Sequence, residues 1–287
     1  VTRLISAELF KLRKRFMTRV MLFVLVGIMV VIYLLLLAVA KVTIPAHGPS
    51  EIGAIQNLLG LPIALPFALS ILSSLGSVLA VILIASSVGN EYNWRTIRTM
   101  LICSEGRLRL LGAKLISAGI FILMGMVIGL ATGFIMSLIT TAIGGYAFNF
   151  SFATGGYLWD QFLQFWRTFY VLIPYVLLGF LFAIVGRSAM PGIAVGIGVF
   201  FLESIVTALM RLAGGWVAEI PNYLLTANVN AITSLANLPQ VFRAGMGAGN
   251  ASSQTPGLLH AYTTLAIYSL VFIVIAFYLF RKRDVTS

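Results

Sequence analysis

Six stretches of this chain are so long and so poor in charge that water cannot be their solvent: roughly 20–40, 64–89, 115–143, 168–187, 191–210 and 261–280. Each is near or above the ~20 apolar residues that cross a ~30 Å hydrocarbon core as a helix. Lipid offers no partners to open backbone groups, so each run must form its own hydrogen bonds as a helix. A membrane barrel would show short alternating segments instead. Only 9% of the residues are charged, against about a quarter in soluble domains. The sequence predicts an all-α membrane protein, with six transmembrane helices forming one domain over 1–287.

The 19 Lys and Arg residues orient that bundle. Arg3, Lys11, Arg13, Lys14, Arg15 and Arg19 precede the first span, and Arg95, Arg98, Arg107, Arg109 and Lys114 follow the second. Arg187 separates the fourth and fifth, and Arg281, Lys282 and Arg283 follow the sixth. Only Lys41, Arg167, Arg211 and Arg243 fall on the other side. Basic residues stay inside, so both termini and the loop 90–114 are expected in the cytoplasm, and the protein in a bacterial or archaeal inner membrane. An even number of spans agrees with that. A net charge of +11 would suggest nucleic acid in a soluble protein. Here topology explains it, and no nucleic-acid partner is expected. The lone Cys103 excludes an intramolecular disulfide. The basic start runs into a full-length span with no small-residue cleavage site that stands out, so the first helix is expected to be retained.

Before that span, Ile5, Leu9, Leu12, Phe16 and Val20 share one helical stripe, with Arg3, Glu8, Lys11, Lys14 and Arg15 mainly on the far side. This pattern predicts an interfacial amphipathic helix over 1–19, serving as an anchor or as a lever into the first span. Residues 41–63 and 144–167 are expected to be short outer loops. In the long segment 211–260, the moderately apolar half Gly215–Leu238 predicts helices on or in the outer leaflet. The half Gly245–Gly257, rich in Gly, Ser and Asn, predicts a flexible loop.

After the second span comes Gly89-Asn90-Glu91-Tyr92-Asn93-Trp94-Arg95-Thr96-Ile97-Arg98-Thr99-Met100-Leu101. Asn90 can cap a short helix whose first turn holds Glu91. Aromatic residues and Arg anchor protein interfaces, although a solvated loop at headgroup level would look similar. The string Glu91-Tyr92-x-Trp94-x-Thr96-Ile97-Arg98, then Glu105-Gly106-Arg107-Leu108 and Lys114-Leu115, resembles the corresponding loop of ABC-2-type transporter permeases. Arg95 stands where that family has Gly before Thr96. The six-span layout, the basic amphipathic start, the long outer segment and the Arg283-Asp284-Val285 ending are similar too. The resemblance implies that this loop is a coupling helix seated on a cytoplasmic ATPase, with Glu91, Tyr92, Trp94, Arg95, Thr96 and Ile97 as contact residues. It implies two P-loop ATPase subunits that bind ATP and Mg, a second copy of the permease or a closely similar subunit, and export of an amphiphilic or hydrophobic substrate.

This chain carries no P-loop of its own. The nearest string, Gly106 to Gly112-Ala113-Lys114-Leu115, has the wrong spacing and no hydroxyl after the Lys. His47 and His260 stand apart, and no cluster has metal-ligand spacing. No enzyme activity and no bound cofactor are expected. Gly125, Gly129 and Gly133 on the third span, and Gly192 and Gly196 on the fifth, recur at the four-residue spacing that lets helices approach closely. They serve packing within the subunit, or a dimer or gating seam. Glu203, in the middle of the fifth span, is costly in lipid and needs a partner or a watery cavity. A transport-path role for it would fit the alternative reading, a self-sufficient ion-coupled transporter or channel.

Overall fold

The computed structural model describes residues 2–42, 60–93, 107–144, 152–236 and 256–282. All regular elements among them are helical: α1 (Thr2–Lys14), α2 (Phe16–Val42), α3 (Leu61–Asn93), α4 (Arg107–Gly144), α5 (Gly155–Val185), α6 (Ala189–Ala213), a 3₁₀ helix (Gly215–Tyr223), α7 (Leu225–Thr233) and α8 (Leu258–Lys282). Six of these, α2 to α6 and α8, are long and apolar enough to cross a membrane. At 1.5 Å per residue, α3 and α4, with 33 and 38 residues, are roughly 50 and 57 Å long. Both exceed a ~30 Å hydrocarbon core, so their ends stand outside it or the helices tilt.

The six long helices run alternately up and down. Helices α3 and α5 form the centre, with α6 and α4 packed on α3, α8 packed on α5, and α2 against α4. The burial of each apolar window follows this order, at 72% for α5 and 11% for α6. The central core joins Ile84, Val88, Leu111, Leu172, Phe180 and Ile184. Outer helices keep large apolar faces exposed, such as Phe201, Leu202, Ile205 and Leu209 on α6. Such faces suit lipid and would not suit water.

Local chemistry explains several boundaries. The α5–α6 turn takes three residues. Gly186 accepts no Cβ there because Pro191 lies against it, Arg187 adopts a left-handed φ of 52°, and Ser188 is the extended N-cap of α6. Pro191 sits in the first turn of α6, where its missing N–H costs nothing, whereas Pro174 lies inside α5. Pro66, inside α3, cannot donate to the Pro62 carbonyl four residues back. The Tyr157 hydroxyl donates to that carbonyl instead, at 2.8 Å.

Two expectations are corrected. Helix α5 begins at Gly155, not near 168, so much of the expected outer loop 144–167 is helix. Its first three turns are amphipathic, and a search for purely apolar runs passes over them. Glu8 was expected on the far side of the N-terminal stripe; it is instead 3% exposed and faces α4. It precedes Leu12 by four residues, only ~40° away around the helix, so it borders the apolar stripe.

A buried ionic cluster as the candidate functional site

The end of α3 and the first turns of α4 converge on one side of α1. Lys114 on α4 is 4% exposed at its side chain and lies between two carboxylates, 3.1 Å from Glu8 Oε2 and 2.6 Å from Glu91 Oε1. Arg15, just past α1, reaches Glu91 Oε1 at 3.3 Å and also donates to the Ser87 carbonyl at 3.2 Å. Lys11 donates to Glu8 Oε1 at 2.7 Å from a more exposed position. Two carboxylates and three cations therefore share a site that is largely closed to water. Ions in such a place need close partners, because desolvation costs several kcal/mol per ion.

The chain geometry gives the cluster its meaning. Glu91 precedes the segment 94–106 and Lys114 follows it. Their ion pair holds the two arms of that segment together, and Arg15 and Glu8 fasten α1 to the same point. Trp94, Arg95, Thr96 and Ile97 lie outside the described residues. Tyr92 is half-buried against the central core. Glu91 is only 1% exposed, with its carboxylate on Lys114 and Arg15.

Burial pushes the Glu8 carboxyl up, but the Lys114 and Lys11 ammonium groups outweigh this and hold it below the ordinary carboxylate range. A depressed folded-state pKa contributes stability that is fully present above the unfolded value and is lost as pH falls through the folded value. We expect α1 to loosen in acid, as the pH falls below the ordinary carboxylate range. Hydrogen exchange over residues 2–14 checks this, and in a Glu8→Gln variant the acid-dependent increase should be much smaller.

The opposite end of the bundle holds Glu203. It is buried on α6, accepts from Thr226 Oγ1 at 2.9 Å and from the backbone N–H groups of Leu225 and Thr226. Those groups form the first turn of α7, whose N-cap Leu224 offers no side-chain acceptor. Glu203 supplies the missing cap from a neighbouring helix, with its charge at the positive end of α7. Tyr175 on α5 joins through Thr226 at 3.2 Å. The 3₁₀ helix before α7 is stitched to α8, as His260 and Tyr268 donate to the carbonyls of Asn222 and Tyr223 at 3.1 Å each. Replacing Glu203 by Leu should expose the α7 amides, at a cost of about 1–2 kcal/mol. Hydrogen exchange over 215–233 should then rise roughly five- to thirtyfold; unchanged protection would sink the capping role.

The glycines divide. A Cβ at Gly129 would meet the Leu72 side chain at 2.7 Å, and one at Gly133 would meet Ala68 Cβ at 2.5 Å. At Gly192 it would meet the Gly179 carbonyl oxygen at 2.6 Å, and at Gly196 the Val81 side chain. These four pack inside the chain. Gly125 meets nothing within 4 Å. Among the described residues, no group of His, Cys, Asp or Glu could hold a metal ion.

Residues 49–286 match the family described as "Protein of unknown function (DUF2705)". The chain belongs to that family. The matched region contains Glu91, Lys114 and Glu203 but begins after α1, so Glu8 and Arg15 lie outside it. The chain is also 25% identical over 221 residues to "Uncharacterized protein YhcI" of Bacillus subtilis (strain 168), an alignment covering 74% of this chain and 66% of that protein. The match thus spans slightly less than two thirds of the relative's length.

Proposed function

We propose that this chain is the membrane subunit of an ABC-2-type transporter, exporting an amphiphilic or hydrophobic substrate with ATP hydrolysed by a separate subunit. The observation that carries the reading is the ionic cluster. It ties both arms of the segment 94–106, and α1 with them, into one body, so a force on that segment would reach α3, α4 and α1 together. The resemblance of residues 91–98 to the permease loop supports an ATPase docked at that segment. In this reading Glu91 and Lys114 transmit the motion, while Trp94, Arg95, Thr96 and Ile97 make the contact. Nucleotide would act through its differential effect on the two states of the docked ATPase.

The basic residues around the cluster favour a cytoplasmic location for that end, both termini included, in a bacterial or archaeal inner membrane. Helix α1, with Phe10 exposed beside its Lys and Arg side chains and Phe16 exposed at the start of α2, then lies along the inner leaflet. A pair of these subunits with two ATPases completes the transporter. An apolar cavity of about 240 Å³ between α4, α5 and α8, lined by Ile116, Ile122, Phe169 and Ile273 among others, suits a hydrophobic cargo. Glu203 on a path of its own would suit an ion-coupled transporter; its seat on the α7 amides favours an anchoring role.

The test is co-purification from native membranes in mild detergent. A P-loop ATPase should accompany the tagged wild-type chain and be lost with Trp94→Ala, Arg95→Glu, while the variant still inserts and folds. A folded homo-oligomer without any ATPase would overturn the reading.

A further inference from the structure

The face of α5 that is buried in the core changes character toward the helix start. Val171, Leu172 and Tyr175 are buried and mostly apolar. Two turns earlier the same side carries Arg167, Gln164, Gln161 and Asp160. These four line a cleft of about 170 Å³, closed on its flanks by Pro66 of α3 and Leu235 beyond α7. Gln164 is 6% exposed, and Gln161 Oε1 is buried without a hydrogen-bond partner. Among the described residues, Arg167 forms no ion pair. Buried polar groups are normally satisfied, and leaving one unpaired costs about 1–3 kcal/mol. A polar cleft with an orphaned amide oxygen and an unengaged guanidinium is built for a ligand that supplies the missing partners.

The adjoining face of α5 sets the height of this cleft. Trp159, Phe162 and Trp166 are 60%, 51% and 46% exposed. They form a ladder of ring contacts, with centroids 5.7 Å apart for Trp159–Phe162 and 6.2 Å for Phe162–Trp166. Trp on a span gathers at the membrane–water boundary. The cleft therefore opens at headgroup level, in the leaflet opposite the ionic cluster. Arg167 is the member nearer the hydrocarbon, and Asp160 lies seven residues, or about 10 Å, further out. Helical side chains lean toward the helix N-terminus, so Arg167 leans toward Gln164 and shortens that gap.

We propose that this cleft binds a phosphate ester bearing an ammonium group, the headgroup chemistry of a zwitterionic phospholipid. Arg167 takes the phosphate through charge-assisted hydrogen bonds, Asp160 faces the ammonium, and Gln161 and Gln164 complete the hydrogen bonding. The order matches a headgroup in place, with its phosphate near the hydrocarbon and its ammonium further out. This assignment does not depend on an ATPase partner.

The full chain, purified and delipidated, is reloaded with phosphatidylethanolamine or phosphatidylglycerol, and retained lipid is measured by native mass spectrometry. Wild type should keep phosphatidylethanolamine preferentially. Arg167→Gln should weaken that retention about tenfold or more, and Arg167→Lys should restore part of it. Asp160→Asn should keep phospholipid but lose the preference between the two. Competition by free phosphoethanolamine would mark a soluble ester as the source, and its absence would mark the lipid; both support the chemistry. Equal retention by wild type and Arg167→Gln overturns the proposal. If Arg167→Gln fails to melt as wild type, Gln164→Leu is read in its place, and retention unchanged there overturns it equally.

Discussion

Replacing Lys114 by Met should destabilise this protein more than removing any other charge in it. The ammonium is the shared partner of Glu8 and Glu91, which are 3% and 1% exposed. Without it, two carboxylates stay buried with Lys11 and Arg15 as their remaining cations. Breaking a buried ion network by removing one member costs about 3–5 kcal/mol, because it strands the other charges. For a chain of this size that is a fall in Tm of roughly 10 °C. A second readout separates this from general damage. Hydrogen exchange should rise first over α1, which the cluster fastens to α4. Adding Glu8→Gln and Glu91→Gln to Lys114→Met should recover part of the loss, since neutral amides strand no charge. With the Glu8→Gln, Glu91→Gln variant measured as well, the cycle closes and gives the coupling between Lys114 and the two carboxylates. An unchanged melting curve and an unchanged α1 for Lys114→Met alone would mean that the cluster carries no load. Surface pairs behave differently. Lys11, whose side chain is 36% exposed, should cost well under 1 kcal/mol when replaced, because water and salt screen it.

The bundle itself was legible because hydropathy over ~20 residues is a direct readout of the solvent. All six spans lie where the apolar runs stand, and the helices extend beyond them where amphipathic turns continue. The start of α5 was not legible by that route, since Trp159, Phe162 and Trp166 share their turns with Asp160, Gln164 and Arg167. The ionic cluster was half legible. Glu91 and Lys114 stood at the two ends of the string that resembles the permease loop. Their pairing was not legible, because it depends on the crossing of α3 and α4, and Glu8 looked like a solvent-facing charge on the stripe's far side. Its four-residue spacing from Leu12 was the signal that could have placed it at the packed edge. Glu203 was conspicuous as a carboxylate in a span. Its partner could not be read from spacing, since the donors are the first amides of a helix 22 residues further along, in place only once that helix packs back on α6.

Adding a single methyl group at Gly89 should do more damage than any other small substitution in the spans. Its Cβ would fall on the backbone of Ser188 and Ala189 at the start of α6. Backbone cannot swing aside like a long side chain, so α3 and α6 would have to separate. The same seam continues at Gly192, where a Cβ would meet the Gly179 carbonyl oxygen at 2.6 Å, Ala85 Cβ at 2.8 Å and Ala183 Cβ at 2.9 Å. Small residues of α3, α5 and α6 thus meet at one line, and close approach there holds together helices that gain little from hydrophobic burial in lipid. Overpacking such a contact costs about 1–3 kcal/mol, occasionally more, and Gly89→Ala belongs at or above the top of that range. Gly129→Ala should be milder, because the obstructing Leu72 side chain can rotate. Gly125→Ala is the control. Its Cβ meets nothing within 4 Å, and in a helix Ala is favoured over Gly by up to ~1 kcal/mol. Thermal unfolding in detergent should therefore rank Gly89→Ala as least stable, then Gly192→Ala, then Gly129→Ala, with Gly125→Ala equal to wild type or above it. A large loss at Gly125 would show that its face is covered by a second subunit, and would place a seam between copies on α4.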